Sequence, residues 1–456
     1  MQRVCRVARH LVAEPPAAPR PQPCANEPGV TYFVLDTETH DAVVSAAFMA
    51  RGFTAEEAAD ATHVARTASW HGVHSHAGIK ALHLDHHLGS AHGGCVPGAT
   101  LEKLPSKYPA VERWNCHRKM GQSCARQAMK RCMELADIYG TGTVVCDEAF
   151  HYMWGGGYVL EAAQQGYIAY TNCPASWAEV VPFGGRSPTL GTNPHSWALP
   201  TTPCCGFPIV IDWATSMMAS GAIAVLAREG RDLPPDTGVD QHGQVTRKVN
   251  ELSALLPFGR HKGFGLSLLD ELYGAYIGGS LPTLRNRWAG ADGGLASPGD
   301  LPRGEKQTCT FYFQCTKPDA IGVNFAAGRT QDENVGAVLA DILGHGNAAN
   351  GTLLPGQIEA EGARLSEQHG GLLFTAVEMQ ELGNYAKEGG VQFGENLGSL
   401  VAAALSARTR CAHTHCALPD ASGSGLPKVT IDAKLGVNVA DFLDLDTPPI
   451  INKPVF

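Results

Sequence analysis

PFGGRSPTLGTNPHSWALPTTPCCGFPIVIDWATS, residues 182–216, is the stretch on which the reading of this chain turns. Backbone-permissive positions at Gly184, Gly185, Gly191, Pro194, Pro200, Pro203 and Gly206 alternate with short apolar runs. The last run, Pro208 to Ile211, reads as a buried strand that ends in Asp212. Turns at this density place a site on loops at strand ends, where glycines let the backbone approach a ligand closely. Thr192, Asn193, Thr201, Thr215 and Ser216 offer compact donors and acceptors there. Taken on physics alone, the stretch reads first as a turn-rich β region of a globular domain.

Outward from it, the 456 residues carry 44% hydrophobic and 17% charged side chains and 52 glycines, the composition of a soluble, loop-rich globular protein of one to three domains. A net charge of -9 with no basic stripe speaks against a general nucleic-acid binder. No apolar run approaches the ~20 residues of a membrane span. The 14 scattered cysteines, with no secretory signal before them, read as reduced thiols in a cytoplasmic setting. Residues 1–28 are expected to be a disordered leader. Glu14, the lack of serine and the Pro15-Pro16 break all argue against a mitochondrial presequence.

Helical signals begin near Asp36. Thr54 and Glu57 have capping-box spacing, and Phe53, Ala58, Ala61, Val64, Ala65 and Ala68 extend an apolar stripe to Trp70. That helix delivers His71, His74 and His76, followed by His83, His86, His87 and His92. Only His83 and His87 form a helical pair, and no Cys or Glu completes a ligand set, so no metal site is expected. Residues 121–139 read as an amphipathic helix closed by Gly140, Gly142 to Cys146 as a strand, and Tyr158 to Gln165 as a helix beyond the Gly155-Gly156-Gly157 turn. No G-x-G-x-x-G joins a strand to a helix, so a Rossmann crossover is not supported. Leu266 to Tyr276 reads as a helix whose N-terminus, beside Lys262, suits a phosphate. Phe311 to Phe313 and Ile321 to Phe325 read as strands, 285–308 as a loop and Glu333 to Leu343 as a helix. The CAHTHC run at 411–416 is too short to wrap four ligands round one ion.

GTNP at 191–194 with DWATS at 212–216, together with HSHAGIK (74–80), FHYMWGGGY (150–158), LLPFGRHKGFGLSLLDELYGAYIGG (255–279) and LLPGQIEAEGARLSEQHGG (353–371), resembles the type 2 malate/L-lactate dehydrogenases. That family also holds ureidoglycolate and sulfolactate dehydrogenases and cyclic-imine reductases. The resemblance implies a non-Rossmann α/β oxidoreductase fold with a largely antiparallel sheet flanked by helices. It implies a catalytic region at 29–394, with a cofactor-binding part at about 145–325 between helical parts, and an extension at 395–456. It further implies a homodimer with active sites near the subunit interface, NAD or NADP as cofactor with NAD favoured, and a small 2-hydroxy or 2-keto acid as substrate.

Oxidising such an acid requires a base for the hydroxyl proton, a cation or donors for the carboxylate, and a nicotinamide against the carbinol hydrogen. Histidine suits the first task. By resemblance, Ser75 orients His76, and His151 is the second histidine; of the two, His151 is taken here as the proton acceptor. Lys80 stands where the family commonly has arginine, keeping the charge without the planar fork. Thr192 is the expected substrate donor. The cofactor falls to the loop from His151 to Gly155 and to Ser176, Asp212, Trp213, Ala214, Lys262 and Gly263. Ala77 replaces the usual glycine, and Trp177 stands where ureidoglycolate dehydrogenases have Asp, which speaks against ureidoglycolate. Two alternatives stay open. A cyclic imino-acid reductase is disfavoured by Ala222, where an acidic residue is expected. An inactive paralogue acting as a binding protein is disfavoured by the retained Ser75, His76, His151, Thr192, Asp212 and Lys262.

Overall fold

The computed structural model describes residues 31–174, 178–219, 223, 226–227, 230–278, 308–322, 328–391, 428–430 and 437–447. Strand β1 (Thr31–Leu35) leads to Asp36, whose carboxylate accepts the Thr39 N–H at 2.7 Å and starts α1 (Thr37–Ala50). The predicted Thr54/Glu57 capping box opens α2 (Ala55–Trp70). A single 3-10 turn, His74–His76, separates it from α3 (Gly78–Leu88). Next come β2 (Glu102–Leu104), β3 (Val111–Asn115), α4 (Gly121–Tyr139, ended by Gly140 in the left-handed region), β4 (Thr141–Ala149), α5 (Gly155–Gln164) and β5 (Ile168–Asn172). The stretch around 182–216 supplies β6 (His195–Leu199), α6 (Thr202–Cys205) and β7 (Ile209–Trp213). Three short strands, β8 (Gly238–Val239), β9 (Val245–Thr246) and β10 (Ala254–Leu255), precede α7 (His261–Ile277). The chain continues through β11 (Cys309–Thr316), α8 (Pro318–Ile321), α9 (Gln331–Leu343), α10 (Gln357–His369), β12 (Leu372–Phe374), α11 (Ala376–Glu388) and β13 (Lys428–Thr430).

The central sheet has seven strands in the order β2-β3-β4-β11-β5-β6-β7. Only the β3–β4 pairing is parallel; the others are antiparallel, as the resemblance implies. β11 threads the middle. Its Phe311 and Phe313 are fully buried, with Tyr152 and Tyr158 packed edge-on against them. Burial of such a side chain contributes about 1.5–3 kcal/mol. A second sheet, β12-β1-β13, carries the N-terminal helices, and β8, β9 and β10 form a third. Among the described residues no helix is long and apolar enough to cross a membrane.

Several boundaries differ from the sequence reading. The glycines at 155–157 do not form a turn ahead of a helix; they are its first turn. Likewise α7 begins at His261, five residues before Leu266, so Lys262 lies inside its first turn. Ile321 closes the short helix α8 instead of opening a strand, and 323–325 lie outside the described residues. The leader, most of the 285–308 loop and the CAHTHC run also lie outside them. The described parts of the extension pack on the rest of the fold. Lys428–Thr430 pairs with β1, and Val439 and Leu443 join Cys205, Phe207, Ile209 and Leu343 in one apolar cluster.

Candidate functional site

The turn after α2 is tight because the His76 N–H donates to Val73 O at 3.2 Å, which sets Ser75 and His76 on consecutive positions of one 3-10 turn. The two side chains then meet, with Ser75 Oγ 2.9 Å from His76 Nδ1. His151 leaves the end of β4 towards the same place. Its Nδ1 accepts the Met153 N–H at 2.9 Å, and Met153 takes φ 73°, a left-handed conformation costly for a side chain of that size. Burial and the nearby Lys80 lower His76 to about 4, and burial, His76 and Lys80 lower His151 to about 3. Burial also lowers Lys80, against the pull of Glu179. The structure therefore brings together His76, His151 and Lys80, three residues the sequence singles out, with Ser75 behind them. Two neutral imidazoles beside one cation suit proton exchange at an oxygen of an anionic small molecule.

The other half of the site is the end of β7. Thr192 O accepts the Thr215 N–H at 2.7 Å and the Thr215 hydroxyl at 2.9 Å, joining the GTNP turn to DWATS. Asn193 is buried at φ 37°, and its amide donates to Ser267 O, Ser267 Oγ and Glu271 Oε1, each at 3.0 Å, pinning that turn to α7. Asp212 accepts from Trp154 Nε1 at 3.0 Å and from the Ser196 hydroxyl. Although residue 212 opens to solvent, its carboxylate is enclosed. Burial raises its pKa against the opposing pull of Ser196, Trp154 and the Gly156 N–H. Gly155 is required here, since a Cβ would lie 2.5 Å from Ser196 Oγ.

Asp212, Trp213 and Ala214 line a groove of about 910 Å³ together with Phe258, Pro355 and Glu359. Burial raises Glu359, and Asp212 adds to the shift. The sequence matched 353–371 to a motif but assigned it no role; the Pro355-Gly356 turn was the available signal. Lys262 is exposed on the first turn of α7, outside the groove lining, while Gly263 is buried with no room for a Cβ, 2.2 Å from Phe258 O. Ser176 and Trp177 lie outside the described residues.

Comparison with known proteins bears on the family and the fold. The malate/L-lactate dehydrogenase family profile matches residues 35–382. The chain is 37% identical over 194 residues to the 2,3-diketo-L-gulonate reductase of Pasteurella multocida, covering 41% of this chain and 56% of that protein. With the Klebsiella pneumoniae protein of the same name the figures are 36% over 228 residues, 49% and 65%. The chain thus spans less than two thirds of these relatives' length. In fold it is similar to malate dehydrogenase from Entamoeba histolytica, with a TM-score of 0.67, 20% identity and coverage of 79% of this chain and 99% of that one. For delta1-piperideine-2-carboxylate reductase from Pseudomonas syringae the TM-score is 0.65, with 25% identity and coverage of 77% and 99%. With a family match running from β1 through most of α11, this chain belongs to the malate/L-lactate dehydrogenase family.

Proposed function

We propose that this protein interconverts a 2-hydroxy acid and its 2-keto acid by hydride transfer with NAD or NADP, and that NAD is favoured. The observation that carries the reading is the cluster of His76, His151 and Lys80, in which both imidazoles are held neutral beside a cation. Lys80 pairs with the substrate carboxylate. A backbone N–H can only donate, so the Met153 contact leaves His151 Nδ1 as acceptor and puts the proton of the neutral ring on Nε2. His151 Nε2–H therefore holds the substrate oxygen. Ser75 Oγ lies 2.9 Å from His76 Nδ1, and in the tautomer whose Nδ1–H donates to that hydroxyl, His76 Nε2 takes the hydroxyl proton in oxidation and returns it in reduction. This division reverses the roles that sequence placement suggests. Binding of an anion at Lys80 offsets its charge and raises both histidines towards the working range.

The groove suits a dinucleotide in size and in the turn-rich backbone of its walls. A bound nicotinamide supplies the hydride acceptor or donor. Among the described residues the ionisable groups lining the groove are Asp212 and Glu359, which provide no counter-charge for a 2′-phosphate and so support NAD. The relatives' names support a sugar-derived keto acid as substrate. An apolar side of α7, with Leu272 48% and Tyr276 88% exposed, supports a homodimer, and the buried free thiols among the described residues support a cytoplasmic setting. The test is a panel of 2-keto acids with NADH and NADPH, followed at the nicotinamide absorbance. Turnover with at least one sugar-derived keto acid, faster with NADH, is expected. Binding of NADH with no turnover of any 2-keto acid would overturn the reading.

A further inference from the structure

We propose that His74, through its ion pair with Glu378, is a positioning residue that holds the Ser75–His76 turn in place. The proposal rests on the reading of His76 as the proton-transfer group. His74 Nδ1 lies 3.1 Å from Glu378 Oε1, and both side chains are half-buried. The His74 ring is bounded by Tyr32 of β1 (centroids 6.4 Å apart, planes 19° apart) and by Phe374 of β12 (6.0 Å, 74°). Glu378 is itself fixed, because its Oε2 accepts the Thr375 N–H at 2.8 Å and the Thr375 hydroxyl at 2.9 Å in the capping box of α11. His74 is thus bounded by a stacked ring from β1, upstream of it, and by an edge-on ring and one charge from segments about three hundred residues downstream. Ser75 and His76 are the next two residues of the same 3-10 turn. Displacement of His74 carries the Ser75–His76 pair with it, and misplacement of a reacting group by about 1 Å is enough to cost about a hundredfold in rate.

Charge separates His74 from its neighbour. Burial presses on both imidazoles, but Glu378 more than offsets it at His74, whose pKa lies above its ordinary value, while Lys80 adds to the depression of His76. Glu378 lies below its ordinary value, with His74 as the leading opponent of its burial. Among the described residues, Glu378 on α11 and Tyr32 on β1 face His74. Each partner therefore favours the charged form of the other. The ion pair weakens as pH rises through the raised pKa of His74 and as pH falls through the lowered pKa of Glu378.

Glu378→Gln isolates the charge, because glutamine at the third helical position still serves a capping box. The expected result is a little-changed melting temperature and unchanged NADH affinity. With it come a fall in kcat of about tenfold to a hundredfold and an alkaline limb of the kcat profile displaced towards acid. In parallel, His74 followed by NMR titrates at lower pH in the variant, a readout independent of turnover. His74→Gln reads the same link from the other side and should give a kcat loss without that alkaline limb. If the His74 titration stays put, or moves while both kcat profiles match the wild type, the proposal is overturned. Retained turnover in His76→Ala would instead overturn the reading beneath it.

Discussion

The histidine turn at 74–80 and the end of β7 at 210–216 both look chemical in the sequence, yet they use their polar residues differently. At the turn and at His151 facing it, each ring is anchored through a single nitrogen. His76 spends Nδ1 on Ser75, His151 spends Nδ1 on a backbone N–H, and each keeps Nε2. At the end of β7 the carboxylate of Asp212 is consumed by Trp154, Ser196 and the Gly156 N–H, and Asn193 by α7. Those residues shape a groove. The difference teaches that an acid at a strand end in a binding motif can be spent on scaffolding, while a ring held by one hydrogen bond keeps its other nitrogen available.

The largest effect that bears on this contrast belongs to the two histidines. His76→Ala should lower kcat by about a hundredfold to ten-thousandfold, the usual worth of a positioned base, with NADH affinity within a few fold. His151→Ala should act chiefly on substrate KM, because its N–H is engaged in the ground state as well. Steady-state kinetics beside melting temperatures separate the two, and the opposite pattern would restore the assignment suggested by sequence placement. Next in size is Asp212→Asn. It puts an amide NH₂ where two or three donors converge, so about 1–3 kcal/mol of stability should be lost while turnover per folded molecule holds. An unchanged melting temperature combined with weakened NADH binding would make Asp212 a ligand after all. The smallest effect is expected for Lys262→Ala. An exposed lysine on a helix's first turn should contribute about tenfold to cofactor Kd and nothing to kcat at saturation, as fluorescence titration would show.

Legibility followed distance along the chain. The Thr54/Glu57 box and the helix from 121 to Gly140 are written in residues a few positions apart, where capping and periodicity act, and the structure reproduces them; the strand read as a buried Pro208–Ile211 forms at Ile209–Trp213, with Asp212 inside it and Ile211 exposed. The motif order carried the family and the central sheet. Other features were decided by tertiary structure. Glycine's low helix propensity argued for a turn at 155–157, but packing against Ser196 and Trp154 requires glycine there and the helix absorbs all three. The extension looked separate because it lies beyond the family's motifs, yet it supplies a strand beside β1 and an apolar turn beneath the approach to β7. The sequence by itself determined which groups are available: two histidines, a serine, a lysine and a turn-rich groove. Which nitrogen of each ring is engaged, which way each histidine's pKa moves and which carboxylate is spent were decided by Ser75, Met153, Lys80, Glu378 and Trp154. Protonation and orientation depend on the field and the donors within a few ångströms, and only the folded chain sets those neighbours.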